Sequence, residues 1–438
     1  MSNTEGADSR TSEYLLGSIL IMPMLTDGSN QGSLSKLRSV SAEKTIATAD
    51  LSIGVRELFG QKNGLLDECR EVKAADFNRM LFGDRKSFDL MVENDPARVL
   101  SIGDLIIYIF HSGVAFACSV IRYTDIGILA ETCHPGYASG SCRYSFLSAE
   151  NDRASFSPVE DEDVPLEHLL ETKLEELGLK SFYGKNSLFL EAYIYNLAVR
   201  SDRFMTLDEL QQASFHMHLM APMEEPVEDP SEEDVAFVYS KKDLSLDSYR
   251  WACCISSQTI SYVTADKNMD FAGEMSSQIE DGLPLTILAL YQKYTCLHFG
   301  RLLLENSKGR KKIADMKRRM LAFKAYGTVS AATISRWYNV RMIYADMLQF
   351  FGVPEAVSEI SDKLEMLADA QKEMEEERTN ALMTGITIFG IVSILDSLMS
   401  IYEVIVNGNT AEWFMLRSSV AVIVLLFILF VFLIRKIK

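Results

Sequence analysis

In an apolar stretch near the end of the chain, Ser393, Asp396, Ser400 and Glu403 follow one another at spacings of three, four and three residues. In an α-helix that spacing puts all four on one face. A carboxylate at mid-membrane depth costs about 2.5–3.5 kcal/mol on insertion scales, so Asp396 must face protein or water. One helix cannot enclose it. Several copies around an axis can, and rings of Asp396 and Glu403 would then attract and select cations. The simpler alternative is a hydrogen bond from Asp396 between packed helices, with Glu403 among the outer headgroups.

Two charge clusters flank this stripe in sequence. The run 371–380 carries Glu373, Glu375, Glu376 and Glu377. In an oligomer these four, Glu373, Glu376 and Glu377 foremost, would form an acidic cytoplasmic mouth that concentrates cations; in a monomer they are a solvated helix face. Lys308, Arg310, Lys311, Lys312, Lys317, Arg318 and Arg319 stand against Asp315 alone. This concentrated basic patch suits an anionic ligand, inner-leaflet headgroups or the acidic tract of a neighbouring subunit, and otherwise is a solvated helix face. With 43 basic and 61 acidic side chains among 438 residues, a formal charge of −18, the chain lacks the footprint of a general nucleic-acid binder.

Other chemistries lack support in sequence. His216 and His218 are two apart in a helical context and point in different directions, which is poor metal geometry. Cys133, His134 and Cys142 stand in a Gly/Ser-rich stretch with no second ligand pair in view, so no metal is assigned. Cys253 and Cys254 alternate along a strand. There is no phosphate-loop consensus, dinucleotide fingerprint or nucleophile elbow, and no enzymatic activity is expected. Seven scattered cysteines fit a reducing cytosol and not a disulfide frame.

These groups need elements to position them. Ala381–Ile401 is a 21-residue run with one charge, Asp396, and Ser418–Ile434 is a 17-residue run with none, followed by Arg435, Lys436 and Lys438. The second run spans about 25 Å as a helix, with Trp413, Phe414 and Met415 as an interfacial collar. Together they predict a transmembrane hairpin, with a loop over Tyr402–Glu412 turning at Asn407-Gly408-Asn409. Lysine and arginine counts place both termini in the cytoplasm, and the polar N-terminus resembles no signal peptide. The expected location is the inner (cell) membrane, as a multi-pass protein. Before the hairpin, Pro354 opens a stalk helix after the break Phe351-Gly352-Val353. Its seam, Val357, Ile360, Leu364, Leu367, Gln371 and Met374, suits self-association or packing on its own domain.

The first 280 residues read as α+β. Tyr14–Leu25 is a strand that Pro23 ends or confines to an edge. Leu105–Phe110 and Val114–Tyr123 form a hairpin, and Tyr249–Val263 a strand or strand pair. Leu188–Val199 and Thr206–Met220 read as helices, the latter opening on a capping box, Thr206 to Glu209. Ser157–Asp163 reads as an acidic loop. Ala221–Asp234 holds seven acids and three prolines in fourteen residues and reads as a solvated linker. A buried helix is expected over Pro284–Glu305. The resulting divisions are 1–220, a sensor domain; 221–234, the linker; 235–353, the second part of the cytosolic domain; 354–380, the stalk; and 381–438, the hairpin with its basic tail.

This layout, over roughly residues 284–438, resembles the CorA family of divalent-cation transporters and channels. The shared features are the large N-terminal cytosolic domain, the stalk entering the first membrane helix, the short outer loop, the second membrane helix and the basic tail. The basic excursion before the stalk is similar to the outer helices of CorA cytosolic domains. The chain departs from the family where the Gly-Met-Asn signature would fall: Ser400-Ile401-Tyr402-Glu403 stands there, and Asn407-Gly408-Asn409 is a distant echo. The ring that captures hydrated Mg²⁺ in the family is therefore missing. The resemblance implies a homopentamer with a pore lined by the first helix, at Asn380, Thr384, Ser393, Asp396, Ser400 and Glu403, although Asn380 and Thr384 lie off the Ser393–Glu403 stripe. Relatives lacking the signature include CorA-like proteins encoded beside type III CRISPR systems, whose cytosolic part senses a nucleotide second messenger.

The expected protein is thus a CorA-like oligomeric cation channel or transporter, its α+β domain sensing a small anionic, nucleotide-type ligand, with Mg²⁺ as a candidate ion. The partners expected are copies of itself, the bilayer and that ligand. The alternatives are a membrane-anchored oligomeric scaffold without a pore and a constitutive Mg²⁺ transporter.

Overall fold

The computed structural model describes residues 14–26, 34–46, 51–59, 64–85, 87–133, 143–148, 155–159, 166–183, 192–221, 231, 233–267, 269–306 and 310–407. The chain divides into two compact units, one formed by Met1–Asn306 and Asp315–Asp362, the other by Ser307–Ala314 and Lys363–Lys438.

The first unit is built on one sheet that takes in all thirteen strands of the described residues. In chain order these are β1 (Leu15–Thr26), β2 (Ala42–Glu43), β3 (Leu66–Val72), β4 (Leu90–Val92), β5 (Asp95–Phe110), β6 (Val114–Tyr123), β7 (Tyr144–Ser148), β8 (Ser155–Pro158), β9 (Leu179–Ser181), β10 (Tyr193–Arg200), β11 (Ala236–Tyr239), β12 (Trp251–Ile255) and β13 (Thr259–Ala265). The main path runs β11-β12-β13-β10-β1-β6-β5-β4-β7-β8. All pairings are antiparallel except β10 with β13, which is parallel. Strands from both sides of 221–234 share this sheet.

Two expectations about β1 and β10 are corrected. Pro23 neither ends β1 nor puts it at an edge: β6 pairs along its length to Leu25. On its other side β10 pairs as far as Ile21 and β9 begins at Met24, so Pro23 falls between the two partners, where no N–H is asked of it. Residues 193–199, read as helix, are β10. This strand is buried on every residue, between β1 and β13. A strand covered on both faces shows no alternation, and a continuous apolar run does not separate strand from buried helix. Residues 188–191 lie outside those described. Ser157 and Pro158, read as loop, close β8.

Helices cover both faces of the sheet. On one face Leu16, Leu20, Met22 and Met24 of β1 join Phe77, Leu170, Leu174, Leu210 and Met217 in a single apolar core. Within it runs a satisfied polar chain. Ser18 bonds Tyr123 at 2.8 Å and donates to Asn196 Oδ1 at 2.6 Å, and Asn196 Nδ2 donates to Ser261 Oγ and the Met217 carbonyl, both at 3.0 Å. Four strands and a helix are thereby held in one register, since a slip would orphan buried polar atoms. The other face is aromatic. Phe110 stacks on Tyr291 at 4.2 Å between centroids, and Phe116 and Phe182 meet Tyr294 edge-on. Tyr291 and Tyr294 belong to helix Leu283–Asn306, which a π-helical turn, Gln278–Gly282, leads into. On this face Gly17 is required: a Cβ there would lie 2.8 Å from the Phe271 ring.

Helix Leu207–Leu219 has the expected capping box, with Thr206 accepting from Glu209 N–H and the Glu209 carboxylate accepting from Thr206 N–H. The hairpin β5–β6 and the pair β12–β13 match the reading, with β5 beginning ten residues earlier than expected. After helix Tyr338–Phe350 the chain turns at Phe351-Gly352, with Gly352 at φ +59°, a conformation open to glycine. The terminal helix Val353–Asn407 then starts, Pro354 in its first turn.

Candidate functional site

The terminal helix is unbroken for 55 residues, about 80 Å at 1.5 Å per residue. Stalk and first apolar segment are therefore one element. It also extends past the expected loop start: Tyr402–Asn407 is helical. Residues 408–438, including the second apolar run, the outer turn and the basic tail, lie outside those described.

Burial along this helix changes with position. Ile360 is 7% exposed and lies over Gly300 of helix Leu283–Asn306, so the start of the seam packs on its own domain. Leu364 is 2% exposed, whereas Met374 is 60% exposed. From Leu382 on, the apolar side chains are open: Ile388, Phe389, Val392 and Leu395 are all at least half exposed. The most apolar 18-residue stretch has a mean hydropathy of 1.8 and none of it is buried. By length and composition this is the one helix among the described residues suited to cross a membrane. An apolar surface of this size left in water is strongly unfavourable, at about 25 cal/mol per Å².

The polar stripe is where the spacing placed it. Taking 100° per residue, Ser393, Asp396, Ser400 and Glu403 fall within about 80° of arc. Asp396 and Glu403 are exposed and Ser393 and Ser400 partly so. Ser397 and Thr387 satisfy their hydroxyls locally, donating to the carbonyls four residues back at 2.8 Å, and offer nothing further. Thr384 and Asn380 lie about 120° and 160° away from Asp396 around the helix. The acidic mouth is also displaced: Glu377, Glu373 and Glu376 sit about 100°, 140° and 160° from Asp396. Glu376 pairs with Lys372 of its own helix at 3.9 Å. The helix thus turns Glu373, Glu376 and Glu377 away from the stripe they were expected to serve, and leaves Glu375 about 60° from Asp396.

Of the basic patch, Lys308 lies outside the described residues, as do the side chains of Arg310, Lys311 and Lys312. The helix Arg310–Ala322 buries Ile313, Met316 and Met320, its i, i+3, i+7 face. Arg318 and Arg319 reach Asp315 at 2.6 and 2.8 Å, and Lys317 is partly buried. The hydrogen bond from Arg318, with the charge of Arg319, holds the Asp315 carboxyl below the usual aspartate range. Part of the positive charge is thus answered from within the helix.

The sheet-bearing unit also holds a cavity of about 450 Å³ that motif reading missed. Arg85, Phe146, His168 and Lys173 line it, the Arg85 guanidinium 4.0 Å above the Phe146 ring and Lys173 paired to Glu176 at 2.7 Å. These residues come from three separate stretches of chain, and no local spacing links them.

The declined signals have structural roles. His218 Nδ1 bonds Thr259 Oγ1 at 2.8 Å and its ring stacks on Phe215, while His216 is buried. Cys69, Cys118, Cys253, Cys254 and Cys296 are free and buried, and burial pushes the Cys69 and Cys296 thiols up to about 12. Residues 134–142, with His134 and Cys142, lie outside those described; among the described residues no cluster of three or more His, Cys, Asp or Glu could hold a metal. No protein-family model matches this chain, and no curated protein matches it either.

Proposed function

We propose that this protein is an oligomeric inner-membrane cation channel or transporter whose sheet-bearing unit senses an anionic ligand. The observation that carries the reading is the terminal helix: continuous from its Pro354 start, with nothing buried over its most apolar stretch, and bearing Asp396 within the apolar run 381–401. A lone carboxylate on such a surface is tolerable when copies of the helix gather it around water. The second membrane helix at 418–434, the homopentamer and the cytoplasmic termini are part of the same proposal, by resemblance to the CorA family. With Ser400-Ile401-Tyr402-Glu403 in place of the family signature, the proposed selectivity is for cations in general, Mg²⁺ included but not preferred.

For the ligand, the proposal follows the CRISPR-associated relatives in naming a nucleotide-type second messenger. The cavity lined by Arg85, Phe146, His168 and Lys173 combines aromatic surface with cations and is a further candidate beside Lys308–Arg319. Its concave shape is what an exposed helix face lacks.

The deciding experiment is cation flux through the purified full-length protein in liposomes, with and without Asp396→Asn. The expected result is a fall in flux on the order of tenfold, or a changed ion preference. Unchanged flux in the variant would remove Asp396 from the pathway. No flux in any form, with the oligomer intact, would leave the membrane-anchored scaffold.

A further inference from the structure

Continuity of the terminal helix fixes which other residues share a face with Asp396. At 3.6 residues per turn, eighteen residues make five whole turns, so position 378 lies directly below position 396, about 27 Å along the helix. That residue is Arg378, three positions before the apolar stretch begins. Met374 and Gln371, the seam residues nearest it, fall within about 40° of the same line. No Pro and no change of helix type interrupts the stretch between Arg378 and Asp396. The face that would turn Asp396 towards a common axis therefore turns Arg378 there as well, while it turns Glu373, Glu376 and Glu377 away.

We infer that Arg378 forms a cationic ring at the cytoplasmic end of the pore and controls entry of cations there. This rests on the channel reading proposed above. Several guanidinium groups around one axis raise an electrostatic barrier to cations, and salt screens it over about 10 Å at 0.1 M. An anion seated among them would lower the barrier, so the ring is also a point at which an acidic group on another segment could open the path. Glu375, one turn earlier and about 60° round the helix, is the nearest carboxylate to this face.

Two measurements on the full-length protein in liposomes test this. Arg378→Gln should raise cation flux several-fold at low ionic strength, with the gain shrinking at high salt. Arg378→Lys should keep flux near the parent value. Lys372→Gln removes the same charge from a face about 120° away and should leave flux unchanged. Separately, a short bis-maleimide should link protomers through Arg378→Cys and not through Lys372→Cys or Glu376→Cys, after subtraction of the parent protein. Unchanged flux in Arg378→Gln, a gain matched by Lys372→Gln, or linking through Lys372→Cys or Glu376→Cys in place of Arg378→Cys would each overturn the inference. Linking through Arg378→Cys with no flux in any variant would discard the pore and keep the shared face. Absence of links at all three positions would discard the ring.

Discussion

Single residues show how the sheet-bearing unit tolerates charge. Glu71 of β3 bonds Lys44 at 2.5 Å and Lys73 at 2.7 Å, with a side chain 14% exposed. Burial alone would push its carboxyl up, but the hydrogen bonds and charges of the two lysines outweigh this and hold it below the usual glutamate range. A folded-state value below the unfolded one means the unfolded chain binds more protons as acid is added. The stabilisation is therefore fully present above the ordinary glutamate pKa and is lost as pH falls through the folded one. Denaturant titrations should show Glu71→Gln costing on the order of 1 kcal/mol at neutral pH. That cost should shrink towards zero in acid, where the parent carboxyl is itself protonated. A cost independent of pH would place the loss in packing and not in the ion pairs.

At the scale of elements, local chemistry decides helix starts and leaves fully covered strands undecided. Thr206→Ala removes half of a reciprocal cap and should lower stability by about 1 kcal/mol, with Thr206→Ser retaining most of it. Equilibrium unfolding of the purified protein measures both. That cap, the β5–β6 turn and the Pro354 start were legible because the residues that cause them lie within a few positions of one another. The strand β10 was not, because burial on both faces erases the period-2 signal and Tyr193–Arg200 then resembles a core helix. The short strands β2 and β9 exist through pairing with distant partners and carry little pattern of their own. The candidate pore shows the same division. The Ser393–Glu403 stripe follows from helical period alone. The relation of Arg378 and the mouth carboxylates to that stripe needed an unbroken helix through 373–403, and the cavity at Arg85 and Phe146 needed the tertiary fold.

For the whole molecule, an overall 48% of hydrophobic residues conceals two uses of apolar surface. In the sheet-bearing unit it is buried on both sides of β1, β6 and β10. Along the terminal helix it faces outward. The full-length chain should therefore stay with membranes through alkaline carbonate washing and come away only with detergent. Release by carbonate alone would make the exposed helix a docking face for protein and not for lipid.

The order of strands in the sheet bears on how the chain is made. Strand β1, which ends at Thr26, lies between β6 and β10, and its neighbour β10 begins only at Tyr193. At about 5–20 residues per second, roughly ten to thirty seconds of translation separate the two. Until β6 is made LLGSILIMPMLT is an unpaired apolar strand, and until β10 follows one of its edges stays open, a template for aggregation. Chaperone dependence should accordingly concentrate on β1. The apolar helix Val353–Asn407 emerges only after β13, the last strand of the described residues.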